Sequence, residues 1–347
     1  MNITTIGLDL AKSAFQLHAV DERGKLIVRK TLRRAEVINF FSNLMPCLIG
    51  LEACGSAHFW ARKLSELGHT VKLMAPQFVK PYVKTNKNDA RDAEAICEAV
   101  SRPNMRFVPI KSVTQQDLLS LHRARQAFVA ARTAQANQIR GLMSEFGIVM
   151  PRGIGCLEQR IPEILSDAEN GLSCASRTLF ERLLMHFREL DRQVCELELL
   201  IKAWHRQSAE SQRLEKIPGI GPLTASALVA SIGDAATFKN GRQLAAWLGL
   251  VPRQNSSGGK DRLLGISKRG DTYLRTLLIH GARSVLLRLK PRADHADGWL
   301  ARLSARCHPN IAAVALANKN ARVVWALLAH SRHYQAHYAS VHAAAAA

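Results

Sequence analysis

Apolar and polar residues alternate in short runs along the first hundred positions of the chain. Extended patterns predict five strands, at 3–9, 15–20, 25–31, 47–52 and 70–75. The tract 21–24 (Asp-Glu-Arg-Gly) suits a hairpin turn. Helical spacing predicts helices at 36–44 and 57–67, with another helix after the last strand. This order, β-β-β-α-β-α-β and then a helix, predicts an α/β layer built on a mixed sheet.

From about residue 113 to 212 the pattern becomes helical, with almost no strand signal. A near-heptad apolar seam predicts one long helix and consists of Leu179, Leu183, Phe187, Leu190, Val194, Leu197, Ile201 and Trp204. A more polar helix is predicted at 118–146, and a turn region at 147–176, where Pro and Gly recur. The two helices either fold back on each other or pair with another chain. We favour a coiled-coil arm over an ordinary helical subdomain packed on the core.

The remaining segment begins near Leu214 and combines Gly-rich turns with helices. The run 217–221 (Ile-Pro-Gly-Ile-Gly) precedes an apolar helix and resembles the hairpin of helix-hairpin-helix modules. In such modules backbone at Gly219 and Gly221 would contact phosphate without reading bases, whereas the alternative is a turn that serves only packing. The fold class is therefore α/β plus all-α, in three regions: 1–110, 111–212 and 213–347.

Composition narrows the class of protein. The 347 residues carry 48 Lys and Arg against 28 Asp and Glu, a net charge of +20. The apolar fraction of 47% excludes a disordered chain, and the 21 Gly and 12 Pro are too few for a collagen-like one. No run of eighteen apolar residues or signal-peptide pattern occurs, and the seven cysteines have no close pairing, so we expect a cytoplasmic protein without membrane contact. Residues 250–347 alone carry +11, and such an excess favours a nucleic-acid partner.

Carboxylates stand where an α/β sheet would expose them. Asp9 and Glu52 end two apolar strands, and Asp89 and Asp92 are three residues apart, on one face of a predicted helix. Carboxylate oxygens are the hard ligands that Mg²⁺ requires, and two such ions about 3.5–4 Å apart can promote attack and departure at phosphorus. Taken singly, each acid could be only a turn residue or a charge favoured by a helix dipole. Their combination favours a metal-dependent site.

A second candidate is the loop 252–260 (Pro-Arg-Gln-Asn-Ser-Ser-Gly-Gly-Lys). Its glycines let backbone N–H groups approach a phosphate, and a serine here could be a nucleophile if a base or metal activates it. The alternative is an ordinary surface loop.

These motifs together resemble the DEDD transposases of the insertion-sequence one-ten family, including its IS-eleven-eleven-like branch. Gly-Leu-Asp9-Leu-Ala-Lys is similar to the first acidic motif of that family, Leu-Glu52-Ala-Cys-Gly to the second, and Asn-Asp89-Ala-Arg-Asp92-Ala to the paired third and fourth. The C-terminal signature is similar to Leu-Gly-Leu-Val-Pro-Arg at 248–253, the loop with Ser257, Ser-Lys-Arg-Gly at 267–270 and Leu-Arg at 274–275. The resemblance covers nearly the whole chain.

The resemblance implies a RuvC-like ribonuclease-H fold, a coiled-coil middle and a C-terminal transposase domain. It implies that Asp9, Glu52, Asp89 and Asp92 bind Mg²⁺, with two ions per site and Mn²⁺ as a substitute. Ser257 would attack DNA and form a 5′-phosphoserine link, although the adjacent Ser256 cannot be ranked below it by sequence. The implied partners are double-stranded DNA, a structured guide RNA and further copies of the chain in a dimer or tetramer. The location would be the bacterial nucleoid.

Other positions complete the expected nucleic-acid surface: Arg253, Lys260, Arg262, Lys268 and Arg269, which surround the serine loop. Two other functions remain open. A RuvC-like structure-specific nuclease would use water and need no serine, and a non-catalytic nucleic-acid-binding protein would need neither the serine nor the acids.

Overall fold

The computed structural model describes residues 2–84, 89–288 and 299–336, together with the backbone but not the side chain of Asp89. The chain divides into two compact units, residues 1–113 and 114–347.

The first unit is built on a six-stranded mixed sheet. The strands are β1 (Thr5–Leu10), β2 (Ala14–Val20), β3 (Leu26–Arg33), β4 (Leu48–Glu52), β5 (Thr70–Met74) and β6 (Phe107–Val108), and their order across the sheet is β3-β2-β1-β4-β5-β6. The first three form antiparallel hairpins, β1, β4 and β5 run parallel, and β6 returns antiparallel. The predicted mixed sheet is confirmed. Strand β6 was not predicted, because two residues leave no periodic signal.

Four helices accompany this sheet: α1 (Val37–Ser42), α2 (Ala57–Glu66), α3 (Pro76–Val79) and α4 (Asp89–Val100). Short 3-10 turns occupy Arg34–Glu36 and Lys80–Tyr82. Alternate residues of β1 and β2, such as Leu8 and Phe15, join Trp60 and Leu64 of α2 in one buried core. Helix α4 packs on the sheet at β1, β2 and β4. The arrangement is consistent with a ribonuclease-H-like domain.

The second unit begins with two long helices, α5 (Val113–Ser144) and α7 (Cys174–Gln207). They run antiparallel, because Arg125 pairs with Glu198 while Arg132, further along α5, pairs with Asp191, earlier in α7. The two helices therefore fold back on each other within one chain. A coiled-coil geometry for this pair stays a prediction.

Two details of the middle region differ from the sequence prediction. The turn region contains a 13-residue helix, α6 (Ile154–Ser166), which accommodates Pro162 in its interior. The apolar seam of α7 was predicted to begin at Leu179, but Leu179 is 47% exposed and the next residue, Phe180, is the one that is fully buried. The reason is tertiary: Phe180 packs in a cluster with Leu157 and Ile161 of α6, and this helix selects which side of α7 is covered.

The rest of the second unit is mainly helical. Its helices are α8 (Ala209–Glu215), α9 (Pro222–Ile232), α10 (Gly241–Trp247), α11 (Thr272–Arg288), α12 (Trp299–Arg306) and α13 (Pro309–Ala329), with a 3-10 turn at Ala235–Thr237. Two strands, β7 (Pro252–Gln254) and β8 (Leu263–Ile266), form an antiparallel hairpin. A large apolar core unites α8 to α11 with α13. Leu118, Ile201 and Ala230 form a further cluster, so α5, α7 and α9 also share buried contacts.

Helix α13 is long and apolar enough to cross a membrane by length and composition, and it is the one such helix within the described residues. Its buried residues, including Leu316 and Val324, belong to the core shared with α10 and α11. Lys319 and Arg322 also interrupt its apolar surface. The apolar composition of α13 is therefore explained by its packing in the core of the second unit.

Candidate active site

Two of the predicted acids lie side by side at one edge of the first unit. Strands β1 and β4 are parallel, with Leu8 opposite Leu51, so Asp9 and Glu52 follow as the next residue in each strand. Neighbouring strands are about 4.8 Å apart, and residues at equivalent positions project from the same face. Both carboxylates also act on Cys54: burial raises the pKa of this thiol, and the negative charges of Glu52 and Asp9 raise it further.

Helix α4 approaches this edge directly because Gly7 has no side chain. A Cβ atom built on Gly7 would lie 2.1 Å from the carbonyl oxygen of Ala93 and 2.4 Å from the backbone nitrogen of Cys97. The Cys97 thiol also donates to the carbonyl of Thr5 at 3.8 Å. Contacts at Cys97 with Thr5 and at Ala93 with Gly7 show that α4 runs antiparallel to β1. The start of α4 therefore points towards the end of the strand that carries Asp9.

The third and fourth acids belong to this helix start. Asp89 is the first residue of α4, and Asp92, which is partly buried, immediately precedes Ala93. The side chain of Asp89 lies outside the described residues. Among the side chains that are described, no group of three or more His, Cys, Asp and Glu lies close enough to hold a metal ion. Asp9 and Glu52, with Asp92 on the adjoining helix, nevertheless offer the oxygen donors that a hard divalent cation prefers.

The serine loop forms the end of the β7–β8 hairpin in the second unit. Asn255 donates from its backbone to the carbonyl of Arg262 at 2.9 Å, and Ser257 pairs with Lys260 beyond it. Gly258 and Gly259 both have positive φ, 56° and 75°, as the tight turn between Ser257 and Lys260 requires. The loop predicted from the glycines is therefore the turn of a β-hairpin.

The two adjacent serines have different surroundings. The Ser256 hydroxyl accepts hydrogen bonds from Nε2 of Gln254 at 3.0 Å and from the backbone nitrogen of Arg262 at 3.2 Å, so it helps to hold the hairpin together. The Ser257 hydroxyl makes no hydrogen bond within the parts of the chain that the structure describes, and the residue is exposed. The structure thus separates two hydroxyls that the sequence could not rank.

A buried arginine closes the base of the hairpin. Arg275 on α11 is 8% exposed and donates to the carbonyl of Leu248 at 3.1 Å, to that of Arg269 at 3.4 Å, and to the Thr272 hydroxyl at 3.1 Å. The entering and leaving segments also touch directly, since a Cβ on Gly249 would lie 2.0 Å from the carbonyl oxygen of Arg269. Arg275 therefore joins the two ends of the segment that carries the serines.

Family models and similar proteins agree on the family to which this chain is similar. Residues 6–148 match the family model for the DEDD transposase of IS110 type, and residues 211–296 match that of the transposase IS116/IS110/IS902 family. A probable family 20 transposase of Pseudomonas aeruginosa is 53% identical over 336 residues, 96% of this chain and 99% of the relative. The transposase for insertion sequence element IS1111A of Coxiella burnetii is 44% identical over 96% of this chain and 92% of its own length.

The chain belongs to the IS110 family of transposases. It is accordingly an enzyme of DNA transposition, which acts on DNA, and membership of a DEDD transposase family implies use of a divalent metal ion. The family assignment made from the sequence motifs is confirmed. The role of each individual residue stays a prediction.

The Gly-rich turn of this transposase has a packing role. Gly219, with φ of 86°, lies against α11 so closely that a Cβ would meet the carbonyl oxygen of Gly281 at 2.8 Å, whereas Gly221 faces open space. The turn and α11 line a cavity of about 1110 Å³ whose charged residues have both signs, including Lys202, Lys216, Arg288, Glu198 and Glu215. The structure explains Gly219 by helix contact, and phosphate binding at the turn stays a prediction.

The predicted basic residues of the transposase lie on and beside the hairpin. All five are exposed: Arg253, Lys260, Arg262, Lys268 and Arg269. Lys268 has a positive φ of 55° and donates from its backbone to the carbonyl of Gly249 at 3.1 Å. The hairpin therefore places positive charge on both sides of Ser257.

Two residues that position the candidate site, Gly7 and Arg275, were not predicted to do so from the sequence. A glycine inside an apolar strand often marks close approach of another backbone, and Gly7 and Gly50 are such glycines in adjacent strands. Arg275 interrupts the apolar positions Leu274 and Leu278 of α11. Both signals were present in the sequence and identify residues that position the candidate site.

Proposed function

We propose that this transposase cleaves and exchanges DNA strands with Ser257 as nucleophile and Mg²⁺ as cofactor. Asp9, Glu52, Asp89 and Asp92 would hold two Mg²⁺ ions, and Mn²⁺ would substitute. The ions, when bound, supply positive charge that stabilises the additional negative charge on the reacting phosphate. The observation that carries the proposal is the contrast between the serines, since Ser256 has a structural role and the exposed Ser257 hydroxyl does not.

The proposed step exchanges one phosphodiester bond for another. The Ser257 Oγ forms a bond to phosphorus and loses its proton to a base, while the bond from phosphorus to the 3′ oxygen breaks. The departing 3′ oxygen takes up a proton, and the 5′ phosphate stays on the serine. Attack by the 3′ hydroxyl of another strand reverses these changes and completes strand exchange. A serine hydroxyl is a weak nucleophile, so activation by a base or metal is required.

Adjacent serine variants provide the test. Ser257→Ala is expected to abolish Mg²⁺-dependent strand cleavage and the covalent adduct of protein and DNA. The adduct is detected by mass spectrometry of the protein after a nuclease has trimmed the attached DNA. Ser256→Ala is the matched control and should keep an adduct on Ser257. Cleavage by Ser257→Ala at the wild-type rate would contradict the proposal and favour a nuclease that uses water. Cleavage by Asp9→Asn at the wild-type rate would contradict the proposed metal site.

The chemistry requires the acids and the serine to act on one phosphate, and we propose that different copies of the chain supply them in a dimer or tetramer. Exposed apolar residues on α7, such as Leu199 and Leu200, support assembly because a second copy would cover them. Mixing a Ser257→Ala chain with an Asp9→Ala chain is expected to restore cleavage that neither chain has alone. No recovery in the mixture would contradict sharing.

The proposal also includes a structured guide RNA, a nucleoid location in the cytoplasm, and three functional regions, 1–110, 111–212 and 213–347. Resemblance to the IS-eleven-eleven-like branch supports RNA guidance, together with the absence from the sequence of an Arg-rich recognition helix or zinc-finger spacing. Phosphate contacts at Gly219, Gly221 and the five basic residues beside the serine would then supply affinity. Purification from cells that carry the native flanking DNA should yield one discrete bound RNA. Its absence would contradict guidance.

A further inference from the structure

The outer strand of the first unit carries exposed positive charge. Strand β3 is the edge of the six-stranded sheet, and Arg29, Thr31 and Arg33 are all exposed along it. Within the described residues, neither arginine has a carboxylate at ion-pair distance. The two guanidinium groups are therefore available to bind an anion.

The strand register places these arginines on the face that carries the acids. Asp9 pairs with Gln16 of β2, and Gln16 pairs with Thr31 of β3. The Thr31 hydroxyl donates to Oε1 of Gln16 at 2.9 Å, which confirms that these side chains share a face. Because side chains alternate along a strand, Arg29 and Arg33, two residues to either side of Thr31, project from this same face.

The distance from the acids suits a substrate contact. Thr31 lies two strands from Asp9, which corresponds to about 10 Å at the usual strand separation. Phosphates along one strand of duplex DNA advance by about 3.4 Å along the helix axis per nucleotide, so a distance of about 10 Å covers about three phosphates. Helix α4 packs on β1, β2 and β4, and the exposure of Arg29 and Arg33 shows that their part of the sheet is open.

Charge on an edge strand can also serve only to prevent edge-to-edge aggregation. The cations of the opposite face differ, because they have aromatic partners: Lys30 lies 5.6 Å from the ring of Phe40, and Arg34 lies 5.1 Å from that of Trp60. Arg29 and Arg33 have no such ring contact among the described residues. If the charges served only to prevent edge-to-edge aggregation, the cations of one face would not need to differ from those of the other in their ring contacts.

We propose that Arg29 and Arg33 bind backbone phosphates of duplex DNA beside the phosphodiester that is presented to Asp9 and Glu52. This inference rests on the proposed function for the location of the reacting phosphate. It adds a binding surface in the first unit to the basic residues around Ser257. The contacts are to phosphate and carry no sequence preference of their own.

Salt dependence of binding tests the proposal with full-length protein and a 30-base-pair duplex of random sequence. Arg29→Gln with Arg33→Gln is expected to lower the slope of log affinity against log salt by about 1.8, since each lost phosphate contact removes about 0.9. The matched control is Lys30→Gln with Arg34→Gln, which removes the same charge from the other face and should leave the slope within about 0.5 of the wild type. Thermal unfolding verifies that both variants are folded.

Equal slopes for both double variants, whether lowered or unchanged, would overturn the proposal. A lowered slope with a 30-base-pair RNA duplex but not with DNA would also overturn it, because the surface would then hold RNA. This measurement requires no cleavage. Failure of the serine mechanism, seen as the absence of an adduct, is therefore distinguishable from failure of the phosphate surface.

Discussion

The close approach of α4 to β1 makes Gly7→Ala a sharp test of how the acids are positioned. The added Cβ would lie 2.1 Å from the carbonyl oxygen of Ala93, whereas ordinary van der Waals contact begins at 3.4 Å. The obstructing atoms at Ala93 and Cys97 include backbone, so a rotamer change cannot relieve the clash. Helix α4 therefore has to move by about 1.3 Å, the difference between these two distances.

This movement should affect both stability and catalysis. Overpacking of a close-packed core typically costs about 1–3 kcal/mol of unfolding free energy. Because Asp92 immediately precedes Ala93, displacement of α4 moves this carboxylate away from Asp9, and a misplacement of about 1 Å can reduce a rate by about 100-fold. We expect Gly7→Ala to reduce Mg²⁺-dependent strand cleavage by about that factor while the protein remains folded.

The assay combines denaturant unfolding with cleavage measured at saturating DNA. Gly50→Ala is the matched control in the adjacent strand, where the new Cβ would lie 2.8 Å from the Cβ of Val100 on the same helix. This Cβ is fixed to the backbone, so α4 has to move here too, but by only about 0.6 Å, the difference from 3.4 Å, and a smaller loss of cleavage is expected. Cleavage by Gly7→Ala within twofold of the wild type would refute the argument that backbone contact with α4 positions the acids.

Three further predictions concern the second unit. Burial lowers the pKa of His122 to about 4, aided by the charge of Arg125, so this histidine is neutral in the folded state and protonates more readily when unfolded. The free energy of unfolding should therefore fall by about 3 kcal/mol as the pH decreases from 6.5 to 4. Unfolding measured across this pH range should depend less on pH in His122→Gln, and an unchanged dependence would show that other groups cause it. Arg275 uses Nη1 for both carbonyls and Nη2 for the Thr272 hydroxyl, so the single nitrogen of Arg275→Lys cannot keep all three contacts. We expect a loss of about 1–3 kcal/mol of unfolding free energy and slower cleavage, and unchanged thermal unfolding and cleavage would contradict the role of Arg275 in joining the two ends of the segment. Leu199→Gln with Leu200→Gln should shift light-scattering mass towards the monomer, and an unchanged mass would exclude this face from assembly.

Much of the first unit was predictable from sequence because its signals are local. Alternation and apolar runs located five of the six strands, and the 21–24 tract identified the hairpin, which the hydrogen bond from Gly24 to the Asp21 carbonyl confirms. The second unit was predicted less well. Pro162 and nearby glycines suggested a turn where α6 forms, since packing of Leu157 and Ile161 outweighs the unfavourable helix propensity of these residues.

The sequence by itself determined the family, the strand-end positions of Asp9 and Glu52, and the excess of positive charge near Ser257, because motifs, periodicity and charge are properties of neighbouring residues. Only the tertiary structure decided which residues face each other. Parallel pairing of β1 with β4 brings together two acids 43 positions apart in the sequence, and Gly7 admits the helix that carries Asp92. Hydrogen bonds within the hairpin distinguish the two adjacent serines, because they engage the hydroxyl of Ser256 and not that of Ser257. These relations depend on strand register and backbone contact, which no local pattern specifies.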